Sequence, residues 1–144
     1  MNNIYFLGRS RFLDIQKRNK IRRLLQTTSK KKGKSISLLN FVLVNDEALL
    51  EINMAHLQHD TYTDIITFDL RENPIDPIEG EIYISIERVA ENAITAGVDF
   101  ENEFIRVVSH GLLHLLGYKD KTDAQAKEMR QEEEACLSLW DDLD

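Results

Sequence analysis

The segment HGLLHLLGYKDKT, residues 110–122, sets His110 and His114 four residues apart in an otherwise apolar run. On a helix this spacing puts both imidazoles on one face, with Cβ atoms about 5–6 Å apart, close enough to share a metal ion. The zinc-protease form of the spacing, H-E-x-x-H, carries a general-base glutamate directly after the first histidine. Gly111 stands there instead. A catalytic zinc takes three protein ligands and leaves a further position to water. No third histidine is near, so the expected third donor is a carboxylate, and Asp120 follows the helix-breaking Gly117 by three residues. The pattern is H-x3-H-x5-D, and one zinc ion per chain is expected, held by His110, His114 and Asp120. The competing interpretation is two partly buried histidines bonded to backbone, with Asp120 a surface acid. His56 and His59 read as ordinary polar positions at a helix end.

The elements that must hold these residues follow from local pattern. A helix opening near Asp99 carries Phe104, Ile105, Val107, Val108, Leu112 and Leu115 as its core side and stops at Gly117. TDAQ, residues 122–125, has the capping-box arrangement and opens a last helix running to about Leu139. Upstream, a helix from about Glu87 ends at Gly97, which suits the left-handed cap. ISLLNFVLV (36–44), TDIITFDL (63–70) and GEIYISI (80–86) read as strands, the last by alternation of Ile82, Ile84 and Ile86. NDEALLEINMAHL between the first two reads as a helix capped by Asn45, and residues 11–28 as another, followed by the basic loop SKKKGKS. These elements predict an α+β, α/β-like single domain over residues 1–144, with about four strands in a mixed sheet, several packed helices and the metal site on a C-terminal helix. Strand order is not encoded in these patterns.

Bulk properties narrow the setting. The 144 residues are 42% hydrophobic and 30% charged, as in a water-soluble domain with a core of its own. No apolar run reaches the roughly 18 residues that span a bilayer, and the N-terminus lacks a signal-peptide layout. Cys136 is the single cysteine, so no disulfide or thiolate cluster is expected, and a reducing cytoplasmic location follows. The net charge of −7 conceals a split: residues 1–45 carry +10 and residues 46–144 carry −17. The basic segment suggests an anionic partner such as a nucleic acid backbone, with a solvated surface as the alternative.

With these residues in view, HGLLHLLGY resembles the H-G-x-L-H-L-x-G-Y core of the YbeY family of ribosomal RNA maturation factors. LLEINMAHLQHDTYTDIITF is similar to that family's L-N…D-x-P-T-D-V-L-S-F segment at Asn53, Asp60, Thr63, Asp64 and Phe68. GEIYIS resembles its G-D-I-x-I-S strand, and AKEMRQEEE its M-x-x-x-E helix. The resemblance implies a single-strand-acting, metal-dependent endoribonuclease that matures the 3′ end of 16S ribosomal RNA, with RNA or the small ribosomal subunit as partner. This chain departs from the family at three places. Asp120 stands for the usual third histidine, Leu57 for an arginine and Tyr62 for a proline. If the arginine holds phosphate, His59 is the nearest replacement.

The chemistry implied is consistent with the residues. Zinc lowers the pKa of a coordinated water from about 15.7 to about 7 and polarises phosphoryl oxygens. Proteolysis needs a base that later protonates an amine, which Gly111 cannot supply; it is expected instead to leave space beside the metal. RNA carries its own 2′-OH nucleophile, so RNA cleavage is favoured. Asp64 is the candidate for direct assistance, with a cap or turn role as the alternative. Arg22, Arg23, Lys30, Lys31, Lys32 and Lys34 are candidates for tracking the RNA backbone. The rival functions are a ribosome-associated RNA-binding factor with a structural zinc and a metalloprotease.

Overall fold

β-branched alternation and glycine-ended helices account for most elements of the computed structural model, which describes residues 3–8, 10–57 and 63–144. His59, Asp60 and Tyr62, with the side chain of Leu57, lie outside the described residues. In chain order the elements are β1 (Ile4–Leu7), α1 (Ile15–Lys31), β2 (Ile36–Val44), α2 (Asp46–Leu57), β3 (Ile65–Asp69), β4 (Ile78–Ser85), α3 (Ile86–Ala96), α4 (Phe100–Leu115) and α5 (Asp123–Asp142). The strands form one mixed sheet in the order β1-β2-β4-β3. β1, β2 and β4 are parallel, while β3 runs antiparallel to β4 at the edge. The α+β class with a four-stranded mixed sheet is as the sequence predicts.

The caps explain where the helices begin and end. Asn45 Oδ1 accepts from Ala48 N at 2.8 Å, and Gly97 takes the left-handed conformation with φ 71°. Thr122 and Gln125 complete a capping box at the start of α5. The first helix starts at Ile15 rather than residue 11, because Asp14 Oδ1 accepts from Lys17 N at 2.8 Å and fixes the N-cap. β1 has no counterpart among the predicted elements. Its four residues are too few for periodicity to register, and it is defined by pairing with β2, from Ile4 opposite Leu39 to Leu7 opposite Val42.

The two faces of the sheet are covered differently. On one, His56 of α2 meets the Phe68 ring edge-on at 5.8 Å, and Phe68 meets Tyr83 at 5.7 Å. On the other lies α4, with α1 and α5 packed along it and Phe41, Ile82, Ile84, Phe104, Ile105 and Leu112 fully buried. None of the described helices is long and apolar enough to cross a membrane.

Gly111 does not open space beside a metal, contrary to the expectation from sequence. A Cβ built there would lie 2.8 Å from Ile82 Cδ1 and 3.1 Å from Ile65 Cδ1, so residue 111 faces the sheet. Its missing side chain allows α4 to sit close on β3 and β4. Gly80 acts from the other side, where a Cβ would come within 2.8 Å of Leu115 Cδ1. Gly111→Val is therefore expected to overpack this contact and lower stability by about 1–3 kcal/mol, measured by urea unfolding. A denaturation midpoint equal to that of the wild type would contradict the close approach.

Candidate metal centre

α4 ends where the third donor is needed. Leu116 N and Gly117 N close the last turn onto Leu112 and His114 carbonyls at 2.9 and 3.0 Å, and Gly117 then reverses the chain with φ 102°. A positive φ of that size strains any residue with a Cβ. Tyr118 N bonds back to Leu113 O at 3.0 Å, and Asp120 returns over the cleft face of α4. Lys121 N and Thr122 N both donate to Gln125 Oε1 at 3.2 Å, so the start of α5 anchors this short connection.

The result is a three-donor cluster. Asp120 Oδ2 lies 3.5 Å from His110 Nε2 and 3.7 Å from His114 Nε2. One ligand atom from each residue falls within 4.8 Å of the others, and no second group of this kind gathers among the described residues. Contacts of this length are long for hydrogen bonds to a carboxylate. The first falls within, and the second just beyond, the edge length of a tetrahedron with metal bonds of about 2.0–2.2 Å, which is about 3.3–3.6 Å. Two imidazoles and one carboxylate are also a donor set that suits zinc. The residues present therefore fit the ion.

Behind the donors lies a buried network that sequence reasoning did not assign. Glu133, 7% exposed at its side chain, places Oε2 2.6 Å from His110 Nδ1. A carboxylate only accepts, so Nδ1 carries the proton and the Nε2 lone pair is left for the cleft. Arg106 Nη1 donates to Glu133 Oε1 at 3.0 Å, and its other Nη binds Glu134. The sequence signal was the glutamate of the M-x-x-x-E resemblance, Met129 to Glu133, which gave a helix but no partner.

The electrostatics follow from these contacts. Burial works against the Glu133 charge, yet the bonds from His110 and Arg106 hold its carboxyl below the usual range. Burial likewise disfavours a charged His110, but Glu133, aided by Asp120 and Asp64, raises its pKa. For His114, burial and the neighbouring His110 lower it, with Asp120 only partly offsetting them.

These groups line a cleft of about 670 Å³ between edge strand β3, α4 and α5. Asp64 sits on its wall just before β3, and burial pushes its carboxyl up, against the opposing effects of its backbone hydrogen bond, His110 and Asn92. Asn92 Nδ2 lies 3.5 Å from Asp64 Oδ2, and the Asp64 carbonyl accepts from Ser85 N at 3.0 Å. Glu103, two helical turns before His110, lines the same cleft and is raised by burial and then by Asp64. His56 lies across the sheet from the cleft.

None of the six basic candidates lines this cleft. Arg22 Nε donates to Ile4 O at 2.9 Å, Arg23 reaches the Asp144 carbonyl, and Lys34 Nζ donates to Pro74 O at 3.1 Å. Lys32 pairs with Glu132 at 2.6 Å and lies over the Tyr118 ring. Lys30 and Lys31 are exposed at the end of α1.

Replacing Glu133 by glutamine removes the charge that favours imidazolium at residue 110. The His110 pKa of the metal-stripped protein is therefore expected to fall in an NMR titration of its ring resonances. An unchanged His110 pKa would contradict the role given to the Glu133 contact.

Comparison with known proteins places this geometry in a family. Residues 9–141 match the family model described as YbeY, endoribonuclease YbeY. The chain is 46% identical to the endoribonuclease YbeY of Cytophaga hutchinsonii over 136 residues, covering 94% of each chain. It is 50% identical to that of Flavobacterium psychrophilum over 108 residues, 75% of this chain and 76% of the other. A Thermotoga maritima protein solved in solution superposes with a TM-score of 0.68 at 30% identity, covering 95% of this chain and 88% of that one. Matched along nearly its whole length, the chain belongs to the YbeY family.

Proposed function

We propose that this chain is a single-strand-acting endoribonuclease that uses one zinc ion held by His110, His114 and Asp120. In this reading it processes ribosomal RNA at the 3′ end of 16S RNA, on or near the small ribosomal subunit in the cytoplasm. The observation that carries the proposal is the approach of one Asp120 oxygen to both imidazoles, 3.5 and 3.7 Å, at the wall of an open cleft. Family membership supports the RNA substrate, since the relatives are named endoribonucleases.

Zinc at this site would supply a water acidified toward neutral pH and a Lewis acid for a phosphoryl oxygen. The protein's own part is positional. Glu133 fixes the His110 tautomer, and the Gly117 turn delivers Asp120. Asp64, half-buried on the same wall with a carboxyl pKa raised by desolvation, is the group to which we assign proton movement. An RNA phosphodiester brings its own 2′-OH, so the site needs no glutamate after His110. The exposed Lys30 and Lys31, together with Arg22, Arg23, Lys32 and Lys34, would attract the RNA backbone from outside the cleft, with His59 as a further candidate RNA contact.

Two rival readings are less favoured. A structural zinc needs a fourth protein donor, and the described residues gather three. A protease of the H-E-x-x-H type needs a base at residue 111, which here is packed against Ile82. The test is cleavage of a single-stranded RNA from the 3′ region of 16S ribosomal RNA by wild type and His114→Ala, each stripped with chelator and restored with zinc. Cleavage by zinc-restored wild type alone is expected. Tight RNA binding without cleavage would replace this proposal with the binding-factor reading.

A further inference from the structure

Among the charged residues that line the cleft that would admit RNA, acids outnumber arginines. Asp64, Asp69, Glu103, Asp120 and Glu133 face it, against Arg106 and Arg130. Some of these charges are already spent on one another. Asp69 is held by both Nε and Nη2 of Arg71, at 2.9 and 2.7 Å. Arg106, 13% exposed at its side chain, has both terminal nitrogens committed to Glu133 and Glu134. Asp64, Glu103 and Asp120 remain, and a polyanion entering here meets repulsion unless cations offset it.

Arg130 is differently placed. It stands three residues before Glu133 on α5, so the two side chains share a helix face. Its side chain is 66% exposed, and its ion pair is the longest in this network, Nη1 to Glu133 Oε1 at 4.0 Å. The other oxygen of that carboxylate holds His110 at 2.6 Å. The guanidinium therefore sits beside the donor cluster yet is not saturated. A planar guanidinium offers two parallel N–H groups to a phosphate, which an ammonium cannot match.

We propose that Arg130 is a substrate-binding residue, holding a backbone phosphate of single-stranded RNA in the cleft beside His110, His114 and Asp120. The inference rests on the nuclease reading above. It adds a cation within the cleft, distinct from the basic side of α1, and predicts that the two act separately: α1 attracts RNA at a distance, whereas Arg130 fixes one phosphate at the site.

The test is fluorescence anisotropy of a short single-stranded RNA bearing 2′-O-methyl groups, which cannot attack their own phosphates. It is titrated into zinc-loaded wild type, Arg130→Gln and Arg130→Lys over a salt series. Zinc content and the unfolding midpoint of each variant confirm an intact site and fold. Arg130→Gln is expected to bind about tenfold more weakly, the loss of one hydrogen-bonded ionic contact. Its slope of log affinity against log salt should be shallower by about 0.7, one phosphate contact on a single strand. Arg130→Lys should keep the wild-type slope while losing part of the affinity. If wild type binds and Arg130→Gln binds with the same affinity and slope, the assignment of Arg130 is overturned and the nuclease reading stands. If wild type does not bind the RNA at all, both are overturned.

Discussion

The close seating of α4 on the sheet is the constraint on which the site depends. A Cβ at residue 111 would lie 2.8 Å from Ile82 Cδ1 and 3.1 Å from Ile65 Cδ1, so a larger residue there forces those side chains or the helix to shift. At about 100° per residue, that contact also fixes the helix's rotation. His110 and His114 then lie roughly 100° and 60° round from the sheet contact, and Glu103 about 80° round on the same side. Glu103, His110 and His114 are thus turned to the cleft by a residue that has no side chain. The same rotation accounts for the absence of a base at position 111, because that position belongs to the core.

What α4 aligns, α5 locks. The Thr122–Gln125 capping box and the Gly117 turn set where α5 begins, and the antiparallel return brings Glu133 against His110 and Arg106. A buried ionic network of this kind is a weak source of stability, since desolvation consumes most of its Coulombic gain. Its effect is on position: it chooses the His110 tautomer and holds the ring. The acidic cleft is also consistent with work on a polyanion once the metal's own charge is included. A metal ion at the triad and Arg130, whose pair with Glu133 is 4.0 Å long, would supply positive charge there, because Arg106 is already paired with Glu133 and Glu134.

Much of this could be read from the sequence, and the reasons are local. Asn45, Gly97, Thr122 and Gln125 are capping residues whose partners lie within a few positions, so pattern alone locates them. His110, His114 and Asp120 come from one short segment and one turn, and the structure brings them together. What sequence could not show lies between distant segments. Glu133 meets His110 across 23 positions, and Gly111 meets Ile82 only once the helix is laid on the sheet. β1 is four residues long and takes its place from β2. The basic segment looks uniform in sequence, yet Arg22 and Lys32 are tied to Ile4 and Glu132 while Lys30 and Lys31 are exposed.

The most direct measurement is metal content by mass spectrometry on protein purified without chelators, for wild type and the His110→Ala, His114→Ala and Asp120→Ala variants. One zinc per wild-type chain, lost in all three variants, is the expected result for a site built from this triad. Stoichiometric zinc retained by folded Asp120→Ala would contradict it and remove the carboxylate from the ligand set. A wild-type protein without metal would contradict the site as a whole.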